Sequence, residues 1–132
     1  MLLGDGELQE GSNWEAAMAA AHHRLDGLVA IVDRNRYQTG PTEEMMALEP
    51  LAAKWEAFGW SVRVIDGHDM AQIVDALEAV PFEAGKPSAI IAETVKGQGV
   101  SLSLHHHMDR FSEEQMRAAL AELGQGNESG TL

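Results

Sequence analysis

The sequence predicts an α/β protein in which a parallel sheet carries helices on both faces. Three observations lead there. Short apolar runs of strand length alternate with amphipathic stretches of helix length. Glycine, proline and capping residues mark the boundaries between them. The 132 residues, 45% of them hydrophobic, suffice for one compact core.

Met1 to Leu3 reads as the end of a buried strand. After the loop Gly4 to Gly11, Ser12-Asn13-Trp14-Glu15 has the form of a capping box. It opens a helix with Trp14, Ala17, Met18, Ala21 and Leu25 on one face, ended by Asp26-Gly27. Leu28 to Val32 is a second buried strand, and residues 34 to 47 are polar and irregular. Pro50 sits in the first turn of a helix that runs to about Phe58 and stops at Gly59, before a third strand, Trp60 to Ile65. Asp69 is placed to cap a helix carrying Ile73, Val74 and Leu77. Pro81 and Gly85-Lys86-Pro87 break the chain ahead of a fourth strand, Ala89 to Ala92. After a glycine-rich loop, Ser112-Glu113-Glu114-Gln115 caps a last helix with Met116, Ala119, Leu120 and Leu123. Residues 125–132 have the composition of a flexible tail, and no internal repeat is visible.

Such sheets bind ligands at the carboxyl ends of their strands, so the loops after positions 3, 33, 65 and 93 are the ones that matter. Nine basic against 21 acidic residues give a formal charge of -12, which disfavours nucleic acid and acidic membranes as partners. A phosphorylated ligand then needs a metal ion and backbone N–H groups rather than a basic patch. The absence of cysteine removes thiolate zinc sites and cysteine nucleophiles and fits a reducing, cytoplasmic setting. No apolar run reaches the roughly 18 to 20 residues that span a bilayer, and no signal peptide is recognisable.

The first loop reads Gly4-Asp5-Gly6-Glu7-Leu8-Gln9-Glu10-Gly11, and the second Asp33-Arg34-Asn35-Arg36-Tyr37. Asp5 and Asn35 stand thirty residues apart, a distance one helical crossover returns to a neighbouring strand end. A carboxylate and an amide oxygen at one rim suit Mg²⁺, which is held by few protein groups together with phosphate oxygens and water. Flanking glycines let a diphosphate approach the backbone. Gly-Asp-Gly by itself also reads as an ordinary turn.

Gly4-Asp5-Gly6 followed by Asn35 is similar to the thiamine diphosphate motif, and the string GDGELQEGSNWEAAMAAAHHRLDGLVAIVDRN resembles transketolase. The similarity resumes in Asp66-Gly67-His68-Asp69 and in IIAETVKGQGVS, residues 90–101. The resemblance implies that residues 1–124 form the second half of the diphosphate-binding domain of a thiamine diphosphate-binding fold. It implies Asp5, Asn35 and the backbone carbonyl of Tyr37 as Mg²⁺ ligands. Gly4 and Gly6 belong with Asp5 and Asn35 to the cofactor-binding set, the Gly6 backbone approaching the diphosphate, and Glu10 links the two cofactor sites across a homo-oligomer interface. One of His105, His106 and His107 stands where the family has a histidine facing diphosphate and substrate, although the usual Trp-His-Gly is absent and the register is shortened.

The other functional-looking residues have plainer readings. His22 and His23 read as a surface or interface pair, and His68 as a structural histidine. Trp14, Trp55, Trp60 and the seven methionines read as core or subunit interface, while Lys96 beside Gly97 and Gly99 is a weak candidate for a phosphate contact.

The implied activity is the transfer of a two-carbon ketol unit between sugar phosphates. The activating glutamate comes, in the family, from a pyrimidine-binding domain not found in this sequence. The expectation is therefore an N-terminally truncated N-terminal subunit of a split transketolase, inactive alone and dependent on a separate pyrimidine-binding subunit. Two alternatives stand beside it: a dihydroxyacetone synthase-like or 1-deoxyxylulose-phosphate synthase-like enzyme, and a non-catalytic remnant or oligomerisation module.

Overall fold

Four short apolar segments pair into one all-parallel sheet: β1 (Leu2–Gly4), β2 (Val29–Arg34), β3 (Ser61–Asp66) and β4 (Ser88–Glu93). Their order in space is β1-β2-β4-β3, so the chain passes over the place of β4 before returning to fill it. The computed structural model describes residues 1–102 and 110–124. Two compact units divide the chain, Met1–Thr94 and Val95–Leu132, and the sheet lies in the first.

Side-chain alternation along the strands creates two faces. One face presents Leu3, Ala30, Val32, Ala89 and Ile91 to α1 (Gly11–His22) and α3 (Leu51–Ala57), which contribute Ala17, Ala20, Leu51 and Trp55 to the core. Alanines at 17 and 20 have no bulk to hold α1 away from the strands. The other face presents Ile31, Ile65, Ile90 and Ala92, against which α4 (Met70–Glu78) sets Ile73 and Leu77. Helices therefore lie on both faces, as expected.

Several boundaries differ from expectation, each for a local reason. α1 starts at Gly11, with Glu10 in the cap position and no side-chain cap bond, so Ser12 does not open a capping box. A single 3-10 turn, Gly6–Gln9, runs directly into the helix. Asn13 Nδ2 and Trp14 Nε1 donate back to the carbonyls of Glu7 and Leu8, both at 2.7 Å, and these bonds fix the start. At the other end the helix stops at His22 rather than at Asp26-Gly27. Arg24 takes a left-handed φ of 53°, and the Leu25 N–H closes back on the Ala20 carbonyl at 3.1 Å, the wrap of a Schellman-type end. Leu25 consequently lies beyond the helix, and it and Met18 are about half exposed. A short α2 (Thr42–Met45) interrupts the segment expected to be irregular.

The Asp69 cap forms as read, its carboxylate accepting from the N–H groups of Ala71 and Gln72. Val74 and Leu77 on that helix are nevertheless nearly half exposed. Trp55 and Trp60 are core residues with rings 4.7 Å apart, edge to face, and Trp14 packs partly buried beside Trp55. Among the described residues Met1, Met18, Met45, Met46, Met70 and Met116 are exposed, and tryptophans and alanines occupy the positions nearest the sheet.

In the second unit, α5 (Glu113–Glu122) opens with the full Ser112 and Gln115 capping box. The backbone N–H and the hydroxyl of Ser101 both donate to the Glu122 carboxylate, at 2.5 and 2.6 Å, and hold its pKa below the usual range. Among the described residues no helix is long and apolar enough to cross a membrane.

Candidate functional site

The strand register aligns the four carboxyl ends on one rim. Gly4 is level with Asp33, Asp33 with Ala92, and Ala92 with Ile65. The loops that follow are laced to neighbouring strands by the backbone: Asp5 N–H to the Asp33 carbonyl at 3.2 Å, Thr94 to Arg34 at 3.2 Å, and Gly67 to Glu93 at 2.8 Å.

Asp5 sits at the first of these crossings and is only 1% exposed. It takes the cap position of the 3-10 turn, Oδ1 accepting from the Gly6 N–H at 2.7 Å. Oδ2 accepts twice from the other loop, from Arg34 Nη1 at 2.8 Å and from the Arg36 N–H at 2.6 Å. A carboxylate with its two oxygens has about four acceptor positions, so among the described residues three of Asp5's are filled and the fourth, on Oδ1, is open.

Asn35 is half-buried one residue beyond β2. Its Oδ1 accepts from the Tyr37 N–H at 2.9 Å, an Asx turn, and its Nδ2 donates to Asp33 Oδ2 at 3.2 Å. Asp33 Oδ1 in turn accepts from the Thr94 hydroxyl, tying the amide's orientation to the residue that follows β4. Between Asn35 and Tyr37, Arg36 adopts a φ of 66°, an uncommon conformation for a residue with a side chain. Strain of this kind costs about 1–3 kcal/mol and concentrates at functional sites.

The first and second loops also grip each other through side chains. Gln38 Nε2 donates to Gln9 Oε1 at 2.7 Å, and Gln9 Nε2 to the Met46 carbonyl at 2.7 Å. A Cβ at Gly6 would stand 2.5 Å from Gln38 Cβ, so the hydrogen of Gly6 is the space into which the second loop fits. At Gly4 nothing lies within 4 Å of that position, leaving its backbone approachable.

The sequence reading missed Arg34. It is fully buried and bonds Asp5, Thr42 Oγ1 at 2.9 Å, Glu43 at 2.6 Å and Glu49 at 2.9 Å. Burial acts to lower its pKa, but hydrogen bonds to Glu49, Asp5 and Glu43 act against it and leave the value raised. The signal was present in the alternation of β2, where Ala30, Val32 and Arg34 fall on the core face.

Of the remaining candidates, Glu10 is exposed at the junction of the 3-10 turn and α1. His22 and His23 are exposed, their rings edge to face at 5.0 Å. Lys96 Nζ is buried and has no hydrogen-bond partner among the described residues. His105, His106 and His107 lie outside the described residues, as does the 125–132 tail. No three His, Cys, Asp or Glu side chains converge as a metal cage among the described residues.

The chain is similar to proteins of one family, in sequence and in fold. The family model for the thiamine diphosphate-binding domain of transketolase matches residues 1–129. The chain is 49% identical to the 6-deoxy-6-sulfo-D-fructose transketolase subunit SqwG of Clostridium sp. (strain MSTE9), a match covering 92% of this chain and 46% of that protein. It is 44% identical to an apulose-4-phosphate transketolase subunit of Actinobacillus succinogenes, covering 93% of this chain and 46% of the relative. The chain thus spans just under half the length of these two relatives. Among solved structures, Campylobacter jejuni transketolase superposes with a TM-score of 0.81 at 34% identity, over 93% of this chain and 20% of the other. A Pichia stipitis transketolase mutant gives a TM-score of 0.86 at 27% identity, over 99% of this chain and 20% of that one.

Proposed function

This chain belongs to the transketolase family of thiamine diphosphate-binding domains, and from that premise we propose that it serves a Mg²⁺-dependent transketolase as the part that holds the cofactor's diphosphate. In this reading it works with a separate pyrimidine-binding subunit, in a homo-oligomeric cytoplasmic assembly, and a two-carbon ketol unit passes between sugar phosphates. The observation that carries the proposal is the stitching of two loops thirty residues apart. Asp5 Oδ2 accepts from the Arg36 N–H, and Asn35 Oδ1 from the Tyr37 N–H, so three oxygen donors share one short stretch of rim.

Those donors fit the metal. Mg²⁺ prefers hard oxygen ligands in an octahedron and retains positions for phosphate oxygens and water. Asp5 has an open acceptor position on Oδ1, and Asn35 and Tyr37 add a neutral amide and a neutral carbonyl. With a formal charge of -12 the chain has no basic patch to hold a diphosphate, and the cation supplies what the surface lacks.

Thiamine diphosphate, when bound, supplies a nucleophilic thiazolium carbon. The work of this chain is to bind and orient. Asp5, Asn35 and the Tyr37 carbonyl hold the metal, while Gly4 and Gly6 present backbone to the diphosphate. Glu10 reaches the second cofactor site across the subunit interface, and the histidine expected among His105, His106 and His107 lies outside the described residues. The carboxylate that activates the cofactor comes from the partner subunit.

The test is calorimetric titration of thiamine diphosphate into the assembly of this subunit with its pyrimidine-binding partner, with and without Mg²⁺. Binding is expected only with the metal, and Asp5→Ala should abolish it. An unchanged affinity in Asp5→Ala overturns the ligand assignment. The activity assay should offer sulfo-sugar and apulose phosphate donors beside common pentose phosphates, since the relatives are named for those substrates.

A further inference from the structure

The last residue of α5 stands where a carboxylate is least expected. Backbone carbonyls at a helix C-terminus already gather partial negative charge, and acidic side chains are disfavoured there. Yet α5 ends on Glu122, with no basic residue in its last turn. Ser101 accounts for it: its backbone N–H donates to Glu122 Oε2 at 2.5 Å and its hydroxyl to Oε1 at 2.6 Å, one donor for each oxygen. These bonds keep the carboxyl below its usual range and therefore ionised near neutral pH. We infer that Glu122 is a positioning residue, which through Ser101 fixes the shape of the glycine-rich loop after β4 and so governs turnover more than cofactor binding. The inference rests on the transketolase reading above.

The loop needs an outside hold. Its two tight turns overlap, the Gln98 N–H closing on the Val95 carbonyl at 3.1 Å and the Val100 N–H on the Gly97 carbonyl at 3.2 Å. Gly97 and Gly99 take φ values of 79° and 93°, and glycine leaves the chain more conformational freedom than any other residue. Turns built on two such positions do not fix themselves. Ser101 follows the second glycine closely and is tied to α5 across 21 residues. Beside Glu122, Leu123 sets its Cδ2 3.2 Å from where a Cβ at Gly99 would stand, so the helix end closes on the loop at one polar and one apolar point. α5 buries none of its own residues, so core packing does not explain its end. All of these contacts lie within the unit Val95–Leu132.

The loop leads from the carboxyl end of β4 toward His105, His106 and His107, among which the substrate-facing histidine is expected. Loops in this position carry the ligand sites of parallel sheets. Asp5, Asn35 and Tyr37, the ligands proposed for the metal, lie in the other unit. Loosening the loop therefore misplaces a group that meets the substrate and spares those that hold the diphosphate. That division separates a positioning role from a general loss of stability, which would weaken both.

The experiment takes two readings on the same variants. Amide hydrogen exchange in the ¹⁵N-labelled 132-residue chain follows Gly99 and Ser101, while ketol transfer and cofactor affinity are measured in the assembly with the pyrimidine-binding partner. In Glu122→Ala the Ser101 amide should exchange at least about tenfold faster, the effect of losing one bond to a charged group. Turnover should fall between about tenfold and the roughly hundredfold that a misplacement of about 1 Å costs, with a much smaller change in cofactor affinity. Glu122→Gln keeps one accepting oxygen and should fall between. Ser101→Ala should act in the same direction, and Glu122→Ala should add little in its background. The inference is overturned if Glu122→Ala leaves exchange at Ser101 unchanged, if turnover is unchanged or falls together with cofactor affinity, or if the two substitutions add in full. Should Glu122→Ala unravel α5, Ser101→Ala, which leaves the helix sequence untouched, decides by the same comparison of turnover with affinity. A wild-type assembly that binds no cofactor or transfers no ketol unit sinks the transketolase reading instead, and this inference falls with it.

Discussion

Gly6 illustrates how a single missing side chain can set the distance between two loops. The sequence reading explained it by the approach of a diphosphate to the backbone, whereas the contact on the protein side is Gln38, whose Cβ lies 2.5 Å from where a Gly6 Cβ would be. Gln38 Cβ is fixed to its own backbone and cannot rotate away, so Gly6→Ala must push the second loop off the first. Overpacking of this sort costs about 1–3 kcal/mol, and because Asn35 and Tyr37 move with Gln38, Mg²⁺-dependent cofactor binding should weaken as well. Gly27→Ala is the matched control, with nothing within 4 Å of the added methyl. Urea unfolding of the two variants beside wild type decides the matter: equal stability for Gly6→Ala and Gly27→Ala would remove the packing argument. At this scale the sequence singled out Asp5 and Asn35, through a spacing that suits a crossover and a resemblance that named them, and passed over Arg34. A charged residue type hides a core position, and only the alternation Ala30, Val32, Arg34 betrays it.

Helix ends show which element boundaries a sequence can announce. Asp69 and the Ser112 with Gln115 pair were legible because each cap is completed within three residues. Ser12 had the same local credentials and failed, since the start of α1 is set from behind by the 3-10 turn and the bond of Trp14 Nε1 to the Leu8 carbonyl. The far end was hidden for a different reason: Arg24 supplies the left-handed residue that a sequence reader expects from glycine. The Asp69 cap also carries a pH dependence. Hydrogen bonds from the Gln72 side chain, then from the Gln72 and Ala71 N–H groups, hold its carboxyl below the ordinary value. A folded-state pKa below the unfolded one means stability that is fully present above about pH 4 and is lost as pH falls through the folded value. Asp69→Asn keeps a capping oxygen but cannot titrate. Its melting temperature should therefore change less than wild type's between pH 5 and pH 3 (roughly the titration window of an aspartate). Parallel melting curves for the two proteins across that range would show that the cap does not couple to protons.

For the whole molecule, alternating apolar runs and helices sufficed to foretell a parallel sheet, but not that β4 would slot between β2 and β3. Strand order depends on which helix faces pack together, which no local pattern states. The same packing leaves the two faces of the sheet unequally covered. On the side of α4, Leu2, Ile31, Ile65, Ile73, Leu77 and Ile90 line an open trough of about 240 Å³. Leu2 is 72% exposed and Leu77 45%. β1, at the sheet edge beside this trough, also presents backbone groups that no strand among the described residues pairs on its outer side. Contiguous apolar surface next to an open strand edge drives association, and the 132-residue chain should self-associate in the micromolar range accessible to sedimentation velocity, with the sedimentation coefficient rising with concentration. Charge placed in the trough at exposed positions should reverse this without disturbing the core on the other face. Leu2→Glu with Leu77→Glu is expected to sediment as a monomer at every concentration and to unfold in urea at nearly the wild-type midpoint. A wild-type chain that stays monomeric throughout, or a double variant that associates as wild type does, would show that this face of the sheet is not what brings copies together.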